Sequence, residues 1–198
     1  MRHASRLVAP LDDEAVRPLR SGDRVLISGV ILTALDEAHR RMTEYARENR
    51  ALPFDLEGQV LCYLESSPTP PGRVCGPIGP VASGRMDPYT PLLLDLGLKG
   101  MIGRGRRSPE VIDSIVKNRA LYFGAAGGAA VFLSGCVTRV ESVAWPEMGP
   151  EAVFRMRVED FPVVVLVDAR GNDLYRDGPA RYRGGGSPPS KEGLTGGP

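Results

Sequence analysis

The chain has few cysteines, no excess of charge of one sign and no long apolar run, and each shortage excludes a class of protein. Its three cysteines, Cys62, Cys75 and Cys136, are odd in number and far apart, which fits neither a disulfide framework nor paired zinc-ligand spacing. Without a Cys-x-x-Cys run, a metal cluster held by this chain alone is not expected, and buried thiols are the simpler reading. A net charge of +1, with acids and bases interspersed, leaves no electrostatic footprint for nucleic acid or an anionic membrane. No stretch approaches the roughly 20 apolar residues of a spanning helix, and Met1–Leu11 carries basic residues without the apolar run of a signal peptide. A cytoplasmic location is therefore expected. No internal repeat is visible.

What is present suits one core: 198 residues, 42% hydrophobic and 25% charged, predict a single domain over residues 1–183. Residues 184–198 are almost wholly Gly, Pro and Ser with polar neighbours, and a flexible tail is expected there. Asp23–Ile31 reads as a strand, followed by Thr33 as a helix cap three residues before Asp36. Leu35, Ala38, Met42, Tyr45 and Ala46 then recur at helical spacing, with Glu37, Arg40, Arg41 and Glu44 on the other face, to an end near Asn49.

Gln59–Leu64 is a short strand, and the Pro-, Gly- and Ser-dense run Glu65–Gly84 predicts a long loop with a functional role. Asp87-Pro88 looks like the capped start of a helix to about Leu96. Gly100–Gly103 is a buried strand entering Arg104-Gly105-Arg106-Arg107, and Ser108-Pro109-Glu110 starts a helix through about Lys117. Ala120–Phe123 is another strand, leading into the small residues Gly124–Ala130, where backbone can approach a second surface or an anion. Cys136–Val143, Val153–Val158 and Pro162–Asp168 are predicted strands, with a turn at Gly171-Asn172-Asp173. The order predicts an α/β domain with a mixed sheet flanked by helices.

The run Gly79-Pro80-Val81-Ala82-Ser83-Gly84-Arg85-Met86-Asp87-Pro88-Tyr89-Thr90 closely resembles the β subunit, or C-terminal domain, of class I fumarases and L-tartrate dehydratases, with Gly-Arg-Met-Asp as the core signature. Further matches run from about residue 9 to 176. They include Gly22-Asp23, Asp36, Ala38-His39, Leu52-Pro53-Phe54-Asp55, Gly58-Gln59, Gly103-x-Gly105, Gly127-Gly128-Ala129-Ala130, Val143-Ala144-Trp145, Glu159-Asp160-Phe161-Pro162 and Gly171-Asn172. The resemblance implies a swivelling β/β/α-type domain that closes over a larger, α subunit. That subunit's three cysteines would hold a [4Fe–4S] cluster whose open iron acts as a Lewis acid on a small hydroxy acid. It also implies a hetero-oligomer, a dimer of heterodimers, acting as a hydro-lyase.

Carried over residue by residue, the resemblance makes Arg85 the guanidinium for a substrate carboxylate. Two threonines usual after Gly-Pro, the first a proposed base, are here Val81 and Ala82, so neither position can move a proton. The Arg-Asp that usually opens the first helix is Leu35-Asp36, and the usual lysine after the strand is Arg104. Where relatives read roughly Tyr-x-Gly-Pro, this chain has Tyr63-Leu64-Glu65-Ser66, which alters the cleft wall.

The candidates are therefore Ser83 and Arg104 as catalytic residues, and Arg85, Arg104, Gly127 and Gly128 as substrate-binding ones, with no metal ligand. Blander readings stand beside them. Ser83 would cap the Asp87 region or face solvent; Arg104, Arg106 and Arg107 would form a solvated cluster; Gly127 and Gly128 would permit close packing; Cys75 would be a buried thiol. His39 would make a surface hydrogen bond with Asp36. Three functions follow: a hydro-lyase subunit with altered substrate or reaction, a non-catalytic subunit that stabilises or regulates a cluster-bearing partner, and, third in rank, a stand-alone binding protein.

Overall fold

A computed structural model describes residues 4–183. Its strands are β1 (Ser5–Ala9), β2 (Arg24–Thr33), β3 (Val60–Cys62), β4 (Leu64–Ser66), β5 (Ile78–Pro80), β6 (Gly100–Gly103), β7 (Leu121–Gly124), β8 (Val137–Ala144) and β9 (Val153–Val167). The helices are α1 (Asp13–Val16), α2 (Asp36–Arg47), α3 (Thr90–Asp95), α4 (Pro109–Lys117), α5 (Ala130–Gly135) and α6 (Leu174–Arg183). The mixed α/β class expected from the sequence is what forms.

A 7-stranded sheet runs in the order β1-β2-β3-β6-β7-β9-β8, and β2 also pairs antiparallel with β9. That extra pairing closes β2, β3, β6, β7 and β9 into a ring, with β1 beside β2 and β8 beside β9. Side-chain parity then makes two cores, because successive residues of a strand face opposite sides. Val60, Cys62, Ile102, Leu121 and Phe123 fill the ring. Their neighbours Leu61, Tyr63, Met101 and Tyr122 face outward, beneath Met42 of α2, Leu93 and Leu94 of α3, and Val111 and Ile115 of α4.

Several expectations need correction. Thr33 is not a cap: β2 continues to it because its ladder with Cys62 and Phe154 continues, and α2 starts at Asp36 with Leu35 before it. The run Glu65–Gly84 is not featureless, since β4 and β5 pair as a hairpin with Leu64 opposite Pro80. Proline is tolerated there because this two-stranded piece leaves an edge that needs no donor. Asp87 does not open a helix; Ser83–Met86 is a 3-10 turn and α3 begins at Thr90, because the Asp87 carboxylate is engaged elsewhere. The two strands predicted over Val153–Asp168 are one, β9, which passes Asp160 in a left-handed conformation (φ 49) at an irregularity in the ladder with β2. Strand β1 and helices α5 and α6 had no strong sequence signal. Ser108, by contrast, caps α4 as its sequence announces, its Oγ accepting the Val111 N–H. The tail predicted at 184–198 lies outside the described residues.

Candidate functional site

The parallel strands deliver their C-terminal ends to one rim of the ring, which is where ligands of α/β sheets gather. Leu35 follows β2, Tyr63 follows β3, Arg104 follows β6 and Ala125 follows β7. The segment Val81–Ser83 is laced between two of these ends. The Val81 N–H donates to Tyr63 O at 2.9 Å, the Arg104 N–H to Val81 O at 3.3 Å, and the Ser83 N–H to Arg104 O at 2.9 Å. Gly103 makes the lacing possible, since a Cβ there would lie 2.0 Å from Ser83 Oγ.

Ser83 is fully buried and its hydroxyl is committed. Its Oγ accepts the Arg104 N–H at 3.1 Å and lies 2.9 Å from Tyr122 Oη. Because the Gly105 carbonyl 2.9 Å away can only accept, the Tyr122 proton goes to it and the Ser83 proton goes to Tyr122. Burial holds the Tyr122 phenol above its ordinary pKa, so it stays protonated. The expectations that Ser83 faces solvent or caps the Asp87 region are thus overturned by its place between the strand ends.

The Gly-Arg-Met-Asp turn points its charges in opposite directions. Arg85 is half-exposed; its Nε donates to Asp36 Oδ1 at 3.1 Å, and its Nη2 lies 2.6 Å from Oδ2 as an ion-pair contact. Met86 is buried in the outer core. Asp87 turns inward, where Oδ1 accepts from Arg107 Nε at 2.6 Å and Oδ2 from the Ser108 N–H at 2.7 Å. Arg107 Nη2 donates to Thr90 Oγ1 at 2.7 Å, and the guanidinium lies 5.5 Å from the Tyr63 ring and 5.1 Å from that of Tyr122.

The solvated-cluster reading therefore holds for Arg104 and Arg106 and fails for Arg107, whose side chain is 0% exposed. Asp87 matches its charge and Thr90 takes a further N–H. Arg104 is exposed, with no side-chain partner among the described residues. Tyr175 of α6 joins this rim from a distance in sequence, its hydroxyl accepting the Gly105 N–H at 3.2 Å.

His39 is also misplaced by the sequence reading: it is 0% exposed rather than at the surface. Its Nδ1 donates to Leu35 O at 2.8 Å, and its ring meets Tyr63 edge-on at 5.2 Å. Burial, with Arg107 nearby, pushes its pKa down to about 4 against a partial rise from the Leu35 carbonyl, so the imidazole is neutral.

Gly127 and Gly128 lie in a 3-10 turn after β7, next to the Ala125 N–H that donates to Gly103 O at 3.1 Å. A Cβ at Gly128 would meet nothing within 4 Å, so close packing does not explain this glycine. Burial raises the thiol pKa of Cys62, Cys75 and Cys136 alike. Among the described residues no three His, Cys, Asp or Glu side chains gather as metal ligands. No described helix is long and apolar enough to cross a membrane.

A cleft of ≈ 370 Å³ has in its wall Leu35, the residue before Asp36. Leu35, Leu64, Ile78, Phe154 and Met156 make it mainly apolar, with Glu65 and Ser66 also in its wall. The departures at Leu35 and at Leu64-Glu65-Ser66 thus fall on one surface.

The family model described as Fumarase C-terminus matches residues 4–178. The chain is 37% identical over 155 residues to the aerobic class I fumarate hydratase of Salmonella typhimurium, covering 77% of this chain and 27% of that protein. It is 36% identical over 156 residues to fumarate hydratase 2 of Leishmania major, covering 78% and 28% respectively. With the putative L(+)-tartrate dehydratase subunit beta of Methanocaldococcus jannaschii it shares 33% over 173 residues, 84% of this chain and 89% of that one. The chain spans little more than a quarter of those fumarate hydratases and nearly all of the β subunit. With the signature turn, the laced strand ends and this match along almost every described residue, the chain belongs to the Fumarase C-terminus family.

Proposed function

We propose that the chain is the smaller subunit of a hydro-lyase that adds or removes water on a small hydroxy acid less anionic than fumarate or tartrate. The observation that carries this reading is the Arg85–Asp36 ion pair, with Leu35, the residue before Asp36, in the wall of an apolar cleft. One guanidinium is held in orientation at the rim, half-exposed, while the neighbouring wall carries Leu35. A planar bidentate donor suits one carboxylate. An apolar wall suits an uncharged substituent better than a second carboxylate, whose desolvation there would go uncompensated.

In this reading Arg85 binds the carboxylate, Asp36 positions Arg85, and the exposed Arg104 supplies a second positive charge at the rim. The backbone turn at Gly127 and Gly128 faces the bound acid. Ser83, with its lone pair on the Arg104 N–H and its proton on Tyr122, fixes the Val81–Arg85 segment, and the group that moves the substrate proton comes from the larger subunit. The [4Fe–4S] cluster also belongs to that subunit, and the two assemble as a cytoplasmic hetero-oligomer.

Turnover of the reconstituted pair tests this, with dicarboxylate and alkyl-substituted monocarboxylate substrates compared. Arg85→Ala should lower kcat/KM about a hundredfold or more, the usual effect of truncating one partner of a charge-assisted pair, and Arg85→Lys should restore part of it. The second reading, a non-catalytic stabilising or regulatory subunit, draws on Val81, Ala82 and the committed Ser83 hydroxyl. It predicts a stable complex whose residual activity is indifferent to Arg85→Ala.

A further inference from the structure

We infer that the exposed face of α5, together with the loop before β5, is the surface on which the larger subunit docks. Val131 is 74% exposed and Phe132 65%, and only Leu133 of this helix is buried among its large side chains. Val74, 50% exposed, lines a groove together with Val131, Pro70, Pro77 and Val137, so these apolar groups form one surface. Helix α5 carries no ionisable side chain, and Arg73 is the charged residue of the groove wall. Exposed apolar side chains with arginine as the charged residue of the wall suit a protein interface, and an apolar patch on a folded domain marks a contact site. The other exposed apolar residues differ: Val8 lies on the edge strand β1, and Leu96 and Val116 adjoin the Asp95–Lys117 ion pair.

The occupant follows from chain length. The same domain is 27% of one fumarate hydratase relative and 89% of a protein named as a β subunit. Some face of it must therefore meet the remaining length, whether fused or separate. The α5 surface is continuous with the candidate site, because Val74 and Cys75 line both its groove and the cleft that contains Leu35. A protein seated on α5 would border the cleft and could supply the proton-moving group assigned above to the larger subunit. This inference rests on the two-subunit reading above.

The experiment uses the full chain and the protein of the same organism that corresponds to the remaining length of the fumarate hydratases. Binding is measured with the larger protein immobilised, and self-association by sedimentation. Val131→Asp/Phe132→Asp should raise Kd at least a hundredfold with an unchanged melting temperature, while Val8→Asp stays within about threefold of wild type. Should the double variant unfold, Phe132→Gln and Val74→Gln, each alone, should still raise Kd about tenfold. Wild-type Kd in folded patch variants overturns the inference. So does a patch variant that dissolves a homodimer while binding the larger protein normally, which would assign α5 to a second copy. A wild-type chain that does not bind the larger protein at all overturns the two-subunit reading as well, so the two failures are distinct.

Discussion

Arg85 and Asp87 stand two residues apart in one turn, and their ion pairs have opposite character. The Arg85–Asp36 pair lies at the rim with side chains 53% and 32% exposed. The Asp87–Arg107 pair has side chains 15% and 0% exposed and is continued by Thr90 and the Ser108 N–H. An exposed pair contributes little to stability, whereas a buried charge left unpaired is costly. A four-residue signature thus serves two ends: its inward half fixes the turn, and its outward half presents a cation.

The largest test of that division is Arg107→Ala, which strands the Asp87 carboxylate. It should destabilise the fold by about 3–5 kcal/mol in urea unfolding, and a loss below 1 kcal/mol would refute the structural role of the inner pair. Next is His39, which touches both halves through Leu35 and Tyr63. Its folded pKa of about 4 lies below the ordinary 6.5, so the unfolded chain takes up a proton that the folded one refuses. Stability from this group is complete above pH 6.5 and falls as pH drops toward 4, by about 3 kcal/mol in all. His39→Gln should flatten that slope; an unchanged slope would show that the histidine is not its source.

Gly103→Ala should cost about 1–3 kcal/mol, because its Cβ collides with Ser83 Oγ and displaces the laced segment. Crystallography or amide exchange at Ser83 would register the displacement. The smallest effect belongs to Asp36→Asn: stability should hold within about 1 kcal/mol, while turnover falls severalfold as Arg85 loses its orientation. Equal loss of stability at Asp36 and Arg107 would erase the distinction between the two pairs.

Much of the frame was legible because it depends on local pattern. The short apolar strands β3, β6 and β7, the Ser108 cap and the amphipathic stripe of α2 are each written within a few residues. Arg85 was legible through its signature. What could not be read was pairing across the chain. Arg104, Arg106 and Arg107 look alike in sequence, and only the fold shows that Arg107 alone reaches Asp87. His39 looks like a surface partner of Asp36 until Tyr63 is packed over it. The β4–β5 hairpin hides in glycine and proline, since its strands are defined by each other more than by propensity. Asp160 similarly suggests a break where β9 bends and continues. The commitment of the Ser83 hydroxyl needed Tyr122, whose place on β7 was visible but whose reach was not.

The ring has a consequence for how the protein is made. Strand β9 closes the ring by pairing with both β2 and β7, and it ends at Val167. During synthesis the earlier strands can assemble only an open sheet with two raw edges, and the ring cannot shut until the ribosome has released almost the whole domain. Over that interval β2 and β7 each present an unpaired edge to whatever is nearby. A nascent chain stalled before residue 153 should therefore be the form most dependent on chaperones, and the passage of one late strand should end that dependence.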